Sequence, residues 1–262
     1  LAKAWIEKGY KVYGTTRKGK KIDLLRREGV KPILVDLLKP PFRLPQADWV
    51  YFLVSGSQDE SLSRTMTHTI AALSENRPRR FIYTSSTGVY GDYGDGWVDE
   101  SSPRRAVYPA GLRLIETENI LFNAIEEEQF PGVVVRLSGI YGPNRIPGRD
   151  QILKRGALRG RPEGYLNLIH LDDLIPRLLA SPPAAKTGDC YLFSDDQPVR
   201  RKEYYAFLAG RLGISNFSPP WNSSDESVAS RRCRNQKMKE HFQFDLKYPS
   251  YREGLNALLP AR

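Results

Sequence analysis

The sequence predicts an α/β fold, a doubly wound parallel sheet followed by a smaller C-terminal α+β region. Three observations predict it. Short apolar runs rich in β-formers alternate with longer amphipathic stretches between residues 11 and 137. Residues 48–54, D-W-V-Y-F-L-V, are apolar without alternation, as a strand covered on both faces must be. The helical stretches between strands, above all residues 109–129, are long enough to cross from one parallel strand to the next.

The elements follow in order. Leu1, Ala4 and Trp5 share a helical face, and Gly9 stands where a C-terminal cap belongs. We therefore expect the chain to begin inside an element, with natural sequence upstream. Residues 11–16 read as a strand, 20–28 as a short helix closed by Gly29, and 32–35 as a second strand ending at Asp36. Three prolines make residues 39–46 a loop. The strand at 48–54 stops at Ser55-Gly56-Ser57, and Leu62, Met66, Ile70 and Leu73 give residues 58–76 one apolar helical face. Residues 81–91, F-I-Y-T-S-S-T-G-V-Y-G, begin as a buried strand. They deliver Thr84, Ser85, Ser86 and Thr87 to its carboxyl end, where open parallel sheets bind ligands. A glycine- and acid-rich loop over 91–103 leads to the helix at 109–129 and a strand at 132–137, G-V-V-V-R-L.

Beyond Ser138 the composition changes. Residues 139–161 are rich in Gly, Pro and Arg; 165–170 read as a short strand, and Asp172 caps a helix to residue 180. A proline-rich linker at 181–186 precedes a strand at 190–193 and helices near 203–212, 231–241 and 251–259. The expected division is a sheet domain over 1–145, with 166–180 packing back on it, and a smaller region of 146–165 and 181–262.

The 262 residues hold 40 basic and 30 acidic side chains, a formal net charge of +10. The basic residues fall in small groups, at 18–21, 26–27, 77–80, 200–202 and 231–234. That pattern favours a solvated surface with a local anion site over a nucleic-acid partner. No apolar run approaches the ~20 residues of a membrane span, and the charged opening does not read as a signal peptide. Cys190 and Cys233 are far apart with no CxxC, which fits a reducing compartment and argues against a disulfide framework or zinc site. His68, His170 and His241 are too scattered to suggest a metal cluster.

Three motifs now stand in order: Y-T-S-S-T-G-V-Y-G (83–91), V-V-V-R-L-S-G-I-Y-G-P-N-R (133–145) and I-H-L-D-D-L (169–174). Together they resemble the extended and atypical short-chain dehydrogenase/reductase superfamily, the NAD(P)-dependent epimerases and dehydratases. The stretches S-D-D-Q-P-V-R-R-K-E-Y-Y (194–205) and Y-P-S-Y-R-E-G-L (248–255) are similar to its YeeZ-like subgroup. The resemblance covers essentially the whole chain and implies a Rossmann-like fold. It departs at the start. The family's G-x-x-G-x-x-G turn, which seats pyrophosphate on a helix N-terminus, occurs nowhere in the sequence. Either the sequence is a fragment or the first strand is lost.

The resemblance assigns roles. Arg17 and Lys18 end the strand where the adenosine ribose is read; a carboxylate there bonds a 2′-hydroxyl, whereas cations favour a 2′-phosphate. NADP is therefore expected in preference to NAD. Asp36 matches the aspartate that accepts from the adenine amino group, and Ser55 and Gly56 let backbone approach the cofactor. Ser86 stands at the catalytic Ser/Thr, flanked by Thr84 and Ser85 toward the cofactor and Thr87 toward the substrate. Tyr108 is the catalytic tyrosine of Tyr-x-x-x-Lys, a spacing that puts both side chains on one helical face. The lysine's place is held by Leu112, which carries no charge, and a phenol with no cation beside it titrates near ~10. Arg113 is rotated about 100° around the helix from that place, and Arg105 lies before Tyr108. Tyr141 belongs to the loop beside the nicotinamide, with Arg136, Asn144 and Arg145 near it; Arg145 and His170 are expected at the substrate, and no metal is expected.

The expected function is an NAD(P)-dependent oxidoreductase or sugar-epimerase-like enzyme acting on a small polar molecule, such as a nucleotide sugar. Two alternatives stand beside it: a non-catalytic NAD(P)-binding scaffold, suggested by Leu112, and an RNA-binding protein on the same fold, suggested by the charge. The expected setting is cytoplasmic, or the plastid stroma behind a transit peptide, without a membrane partner and with a homodimer as the assembly the resemblance allows.

Overall fold

In the structure, a computed structural model, residues 1–54, 61–215, 217–222 and 229–259 are described. Ser55 and Gly56, expected at the cofactor, lie outside the described residues. The first half of the chain runs α1 (Ala2–Glu7), β1 (Tyr13–Thr16), α2 (Ile22–Arg27), β2 (Lys31–Leu34) and β3 (Trp49–Phe52). It continues through α3 (Ser61–Leu73), β4 (Arg80–Ser86), β5 (Trp97–Val98), α4 (Pro109–Glu128) and β6 (Gly132–Leu137). The second half begins with β7 (Gly139–Tyr141), α5 (Arg149–Leu153), β8 (Leu158–Arg159), β9 (Tyr165–Leu166), β10 (Leu168–His170) and α6 (Leu171–Ala184). It ends with β11 (Cys190–Phe193), β12 (Val199–Arg200), α7 (Arg201–Arg211), β13 (Trp221–Asn222), β14 (Arg232–Cys233), α8 (Gln236–Phe242) and α9 (Tyr251–Leu258).

The hydrogen-bonded order of the principal sheet is β11-β6-β4-β3, while β1 and β2 pair separately. The β1–β2, β3–β4 and β6–β11 pairs are all parallel. Every residue of β6 is buried, which is why its sequence is apolar apart from Arg136. The fold is therefore the Rossmann-like α/β class expected from strand–helix alternation.

The chain divides into two compact units. The first comprises Leu1–Tyr83, Glu116–Val133 and Ile175–Asp189, and the second Thr84–Ile115, Val134–Leu174 and Cys190–Arg262. This partition cuts β4 and β6 part-way along, whereas the sequence suggested a boundary near residue 145.

In the first unit, Phe81 packs edge-on to Phe130 at 5.2 Å and tilted against Phe52 at 6.0 Å. Its α6 segment departs from expectation. Residues 181–186 read as a linker, yet the helix continues to Ala184 through Pro176, Pro182 and Pro183. A proline inside a helix leaves the carbonyl four residues earlier without its N–H donor. For Pro182 that carbonyl is Leu178, and the Tyr51 hydroxyl donates to it at 2.7 Å. Tyr51 accepts in turn from the Trp5 indole at 3.2 Å.

In the second unit, Tyr141, Leu158, Leu168, Tyr204, Leu208, Tyr251 and Leu255 form one buried cluster. The expected strand at 165–170 splits at Asn167, whose side chain donates to the Arg231 carbonyl at 2.9 Å and accepts from the Cys233 N–H at 2.7 Å. The expected helix at 231–241 is corrected: its first residues form β14, parallel to β5, and α8 begins only at Gln236. The cause is a period of two. Cys233 is buried, while Arg232 and Arg234 lie over the exposed Trp97 ring at 4.8 and 5.7 Å.

Candidate active site

The carboxyl end of β4 turns directly into a 3-10 turn, Thr87–Tyr90, with Ser86 as its cap. The Ser86 hydroxyl oxygen accepts from the Gly88 N–H at 3.1 Å, leaving its own proton to donate elsewhere. Tyr108 stands immediately before α4, whose first residue is Pro109, a residue preorganised for a helix start. The Tyr108 hydroxyl donates to the Gly88 carbonyl at 2.8 Å. Ser86 and Tyr108 thus meet at one glycine. A Cβ built on Gly88 would stand 3.2 Å from the Tyr108 oxygen and 3.5 Å from the Ser86 oxygen. Gly111 does the matching work on the helix. A Cβ there would run into Ala106 and lie 3.0 Å from the Tyr108 ring. Neither glycine stood out in the sequence; the signal was small residues flanking each catalytic candidate.

Leu112 occupies the next turn of the same helix, its N–H bonded to the Tyr108 carbonyl at 3.1 Å, and its side chain is about half exposed. Arg105 stacks over the Tyr93 ring at 5.0 Å. Arg136 is buried and donates to the Tyr90 hydroxyl at 2.9 Å and the Glu100 carbonyl at 3.2 Å, a structural role. Thr84 is half-buried, and Ser85 and Thr87 are buried.

The remaining expected residues fall in two places. In the first unit, Arg17 and Lys18 are exposed at the carboxyl end of β1, and Asp36 follows β2 at the same end of that parallel pair. Asp36 accepts from the Leu38 N–H at 3.1 Å, which shapes the following turn. In the second unit, the Tyr141 side chain is fully buried and its hydroxyl points to the Ser250 carbonyl at 3.4 Å, a packing role. His170 lies edge-on to Tyr141 at 5.0 Å and tilted against Tyr248 at 4.2 Å. Its Nδ1 accepts from the Asp172 N–H at 3.1 Å, and burial holds its pKa below the usual imidazole value. Arg145 is exposed in the tight turn it closes with Gly142. Among the described residues no group of three metal-ligating side chains occurs, and no helix is long and apolar enough to cross a membrane.

Sequence reasoning missed Arg231. It donates to the Gly91 carbonyl at 2.9 Å and to the Thr87 hydroxyl at 3.5 Å, bracketing the turn that begins at Ser86.

The chain is similar to known proteins over most of its length. Protein YeeZ of Escherichia coli K12 is 31% identical over 198 residues, which span 74% of this chain and 68% of that protein. Human dTDP-D-glucose 4,6-dehydratase is 28% identical over 130 residues, 47% of this chain and 37% of that enzyme. Among solved structures, a functionally unknown conserved protein from Silicibacter pomeroyi is 28% identical with a TM-score of 0.78, covering 98% of this chain and 92% of that one. UDP-glucuronic acid 4-epimerase from Bacillus cereus, in complex with NAD, has a TM-score of 0.77 at 18% identity, covering 98% of this chain and 90% of that one. At that identity the likeness is one of fold. Residues 1–159, more than half of the sequence and the whole of the Ser86–Tyr108 arrangement, match a single family: the chain belongs to the NAD dependent epimerase/dehydratase family.

Proposed function

We propose that this protein is a nicotinamide-dependent sugar-modifying enzyme of the epimerase or dehydratase kind, acting on a nucleotide sugar. The convergence of the Ser86 and Tyr108 hydroxyls on Gly88 carries this reading. The residues fit a nicotinamide dinucleotide in part. Arg17, Lys18 and Asp36 offer cations and a carboxylate at one end of the β1–β2 pair, as an adenosine phosphate needs. The cationic pair favours NADP over NAD. Leu112 fits less well, because it cannot hold the nicotinamide ribose.

Bound nicotinamide supplies hydride transfer. The Ser86 hydroxyl donates to the substrate oxygen at the carbon being oxidised or reduced. The Tyr108 hydroxyl leaves the Gly88 carbonyl for that oxygen and passes a proton to or from it. The Gly88 carbonyl, an acceptor, keeps the tyrosine in its donor state between turnovers. The setting this reading assigns is the cytoplasm or plastid stroma.

Leu112 favours one second reading, a nicotinamide-binding protein without turnover. Both are tested by assaying wild type and Tyr108→Phe against a nucleotide-sugar panel with NAD and NADP. Turnover abolished by Tyr108→Phe supports the enzyme; cofactor binding without any turnover supports the second reading.

A further inference from the structure

A buried charge holds the turn that presents Gly88. Tyr90 closes the 3-10 turn that begins at Thr87, and its side chain is fully buried. Its hydroxyl oxygen accepts from Arg136 Nη1 at 2.9 Å, and Arg136 is itself 4% exposed. The same amino group donates to the Glu100 carbonyl at 3.2 Å. Glu100 is fixed in turn, because its Oε1 accepts from the Leu192 N–H at 2.7 Å. Leu192 stands opposite Arg136 where β11 pairs with β6. One guanidinium therefore ties the turn, and the loop that follows it, to two paired strands.

That loop leads straight to Tyr108. The Ala106 N–H donates to the Val89 carbonyl at 3.1 Å. Gly91 has φ +70°, and a Cβ on it would collide with the Arg105 carbonyl oxygen. The left-handed backbone and the close approach both require glycine there. Turn and loop thus lie against each other from Val89 to Gly91. The Gly88 carbonyl accepts from the Gly91 N–H at 3.3 Å as well as from the Tyr108 hydroxyl at 2.8 Å. A shift of the turn must therefore move the oxygen on which the phenol rests. A guanidinium in a wholly buried strand is expensive unless its donors are used. This one directs an amino group to both segments that frame Tyr108. Burial pushes the Tyr90 phenol far above its usual value, with Arg136 opposing, so the pair is a cation held to a neutral hydroxyl.

We propose that Arg136 and Tyr90 are positioning residues for Tyr108. The guanidinium fixes the Tyr90 hydroxyl, Tyr90 fixes the 3-10 turn, and the turn sets the Gly88 carbonyl that holds the phenol. Both act through Gly88 and Tyr108 rather than on the reacting atoms. That the positioned phenol transfers a proton rests on the function proposed above; the positioning does not.

The test uses the full chain and the variants Tyr90→Phe, Tyr108→Phe and the two combined. Tyr90→Phe keeps the ring and removes the hydroxyl that Arg136 holds. The first readout is the carbon NMR signal of the Tyr108 ring carbon bearing the hydroxyl, assigned by its loss in Tyr108→Phe. We expect that signal to shift in Tyr90→Phe, and an unchanged signal overturns the proposal. The second readout is turnover. Tyr90→Phe is expected to lower kcat about tenfold with KM and cofactor affinity unchanged. In the Tyr108→Phe background it is expected to have no further effect. A loss of the same size in both backgrounds means that Tyr90 acts without Tyr108, and overturns the proposal. Should Tyr90→Phe fail to fold, Arg136→Lys, which keeps the charge and loses the guanidinium fork, is read in the same way. If the wild type turns over no sugar, the function proposed above fails and the Tyr108 signal still decides the positioning.

Discussion

Tyr108 holds its proton on the Gly88 carbonyl, and Ser86 holds the Gly88 amide, so one glycine registers both hydroxyls proposed to react. Replacing Tyr108 by Phe is predicted to lower kcat about 100-fold, the usual contribution of a proton-transfer group, while cofactor affinity in a fluorescence titration stays the same. Gly88→Ala puts a methyl carbon 3.2 Å from the Tyr108 oxygen and 3.3 Å from Leu114, closer than either tolerates at rest. The displacement is a few tenths of an ångström, so kcat should fall about tenfold, with little change in melting temperature. Leu112→Lys returns a cation to the helical face of Tyr108, four residues on. A cation there favours the phenolate, so the basic-side rise in the kcat–pH profile should move to lower pH. A profile identical to wild type would show that position 112 does not reach the tyrosine. Ser86 and Tyr108 could be singled out in the sequence as candidates, as residue types at family spacing. The contacts of Gly88 and Gly111 with them, and of Arg231 with Thr87, could not, because those depend on which atoms approach after folding.

At the scale of elements, strand and helix order was readable from periodicity, and the failures share a cause. Residues 181–186 read as a linker because prolines break isolated helices; here Tyr51, distant in sequence, caps the Leu178 carbonyl that Pro182 frees. Residues 231–235 read as helix because arginines populate helices readily, yet alternate burial around Cys233 makes them a strand over Trp97. Both outcomes were set by partners the local sequence does not contain. Tyr51→Phe removes the donor to Leu178 and the acceptor for Trp5. It should destabilise the protein by about 1–3 kcal/mol, the cost of leaving buried groups unpaired, read from the urea midpoint. An unchanged midpoint would mean that α6 does not depend on that bond. Helix α9 carries a full capping box between Ser250 and Glu253. Ser250→Ala should therefore cost about 1 kcal/mol in the same experiment.

Across the whole molecule, the +10 charge is distributed in small groups along the sequence. One buried acid works against stability. Asp195 is 2% exposed, one oxygen accepts from the Gln197 N–H at 3.3 Å, and the other has no partner among the described residues. Burial, then the nearby Asp196, Asp173 and Glu253, push its pKa well above the usual carboxylate value. A raised native pKa means that folding favours the protonated acid. Its contribution is present in full below the unfolded value, ~4, and is lost as pH rises through the native one. Asp195→Asn should raise the melting temperature at neutral pH and do so less at pH ~4; an equal effect at both would refute the linkage. The central claim is that Ser86 and Tyr108 act on a substrate oxygen while nicotinamide exchanges hydride. Its most direct measurement is the ultraviolet absorbance of reduced nicotinamide, followed by rapid mixing through the first turnover, before the hydride returns to the sugar, when the enzyme with oxidised cofactor is mixed with a panel of nucleotide sugars. We predict reduction in wild type and its loss in both Ser86→Ala and Tyr108→Phe with cofactor binding intact. Reduction at the wild-type rate in Tyr108→Phe, or none in a wild-type protein saturated with cofactor, would contradict the account.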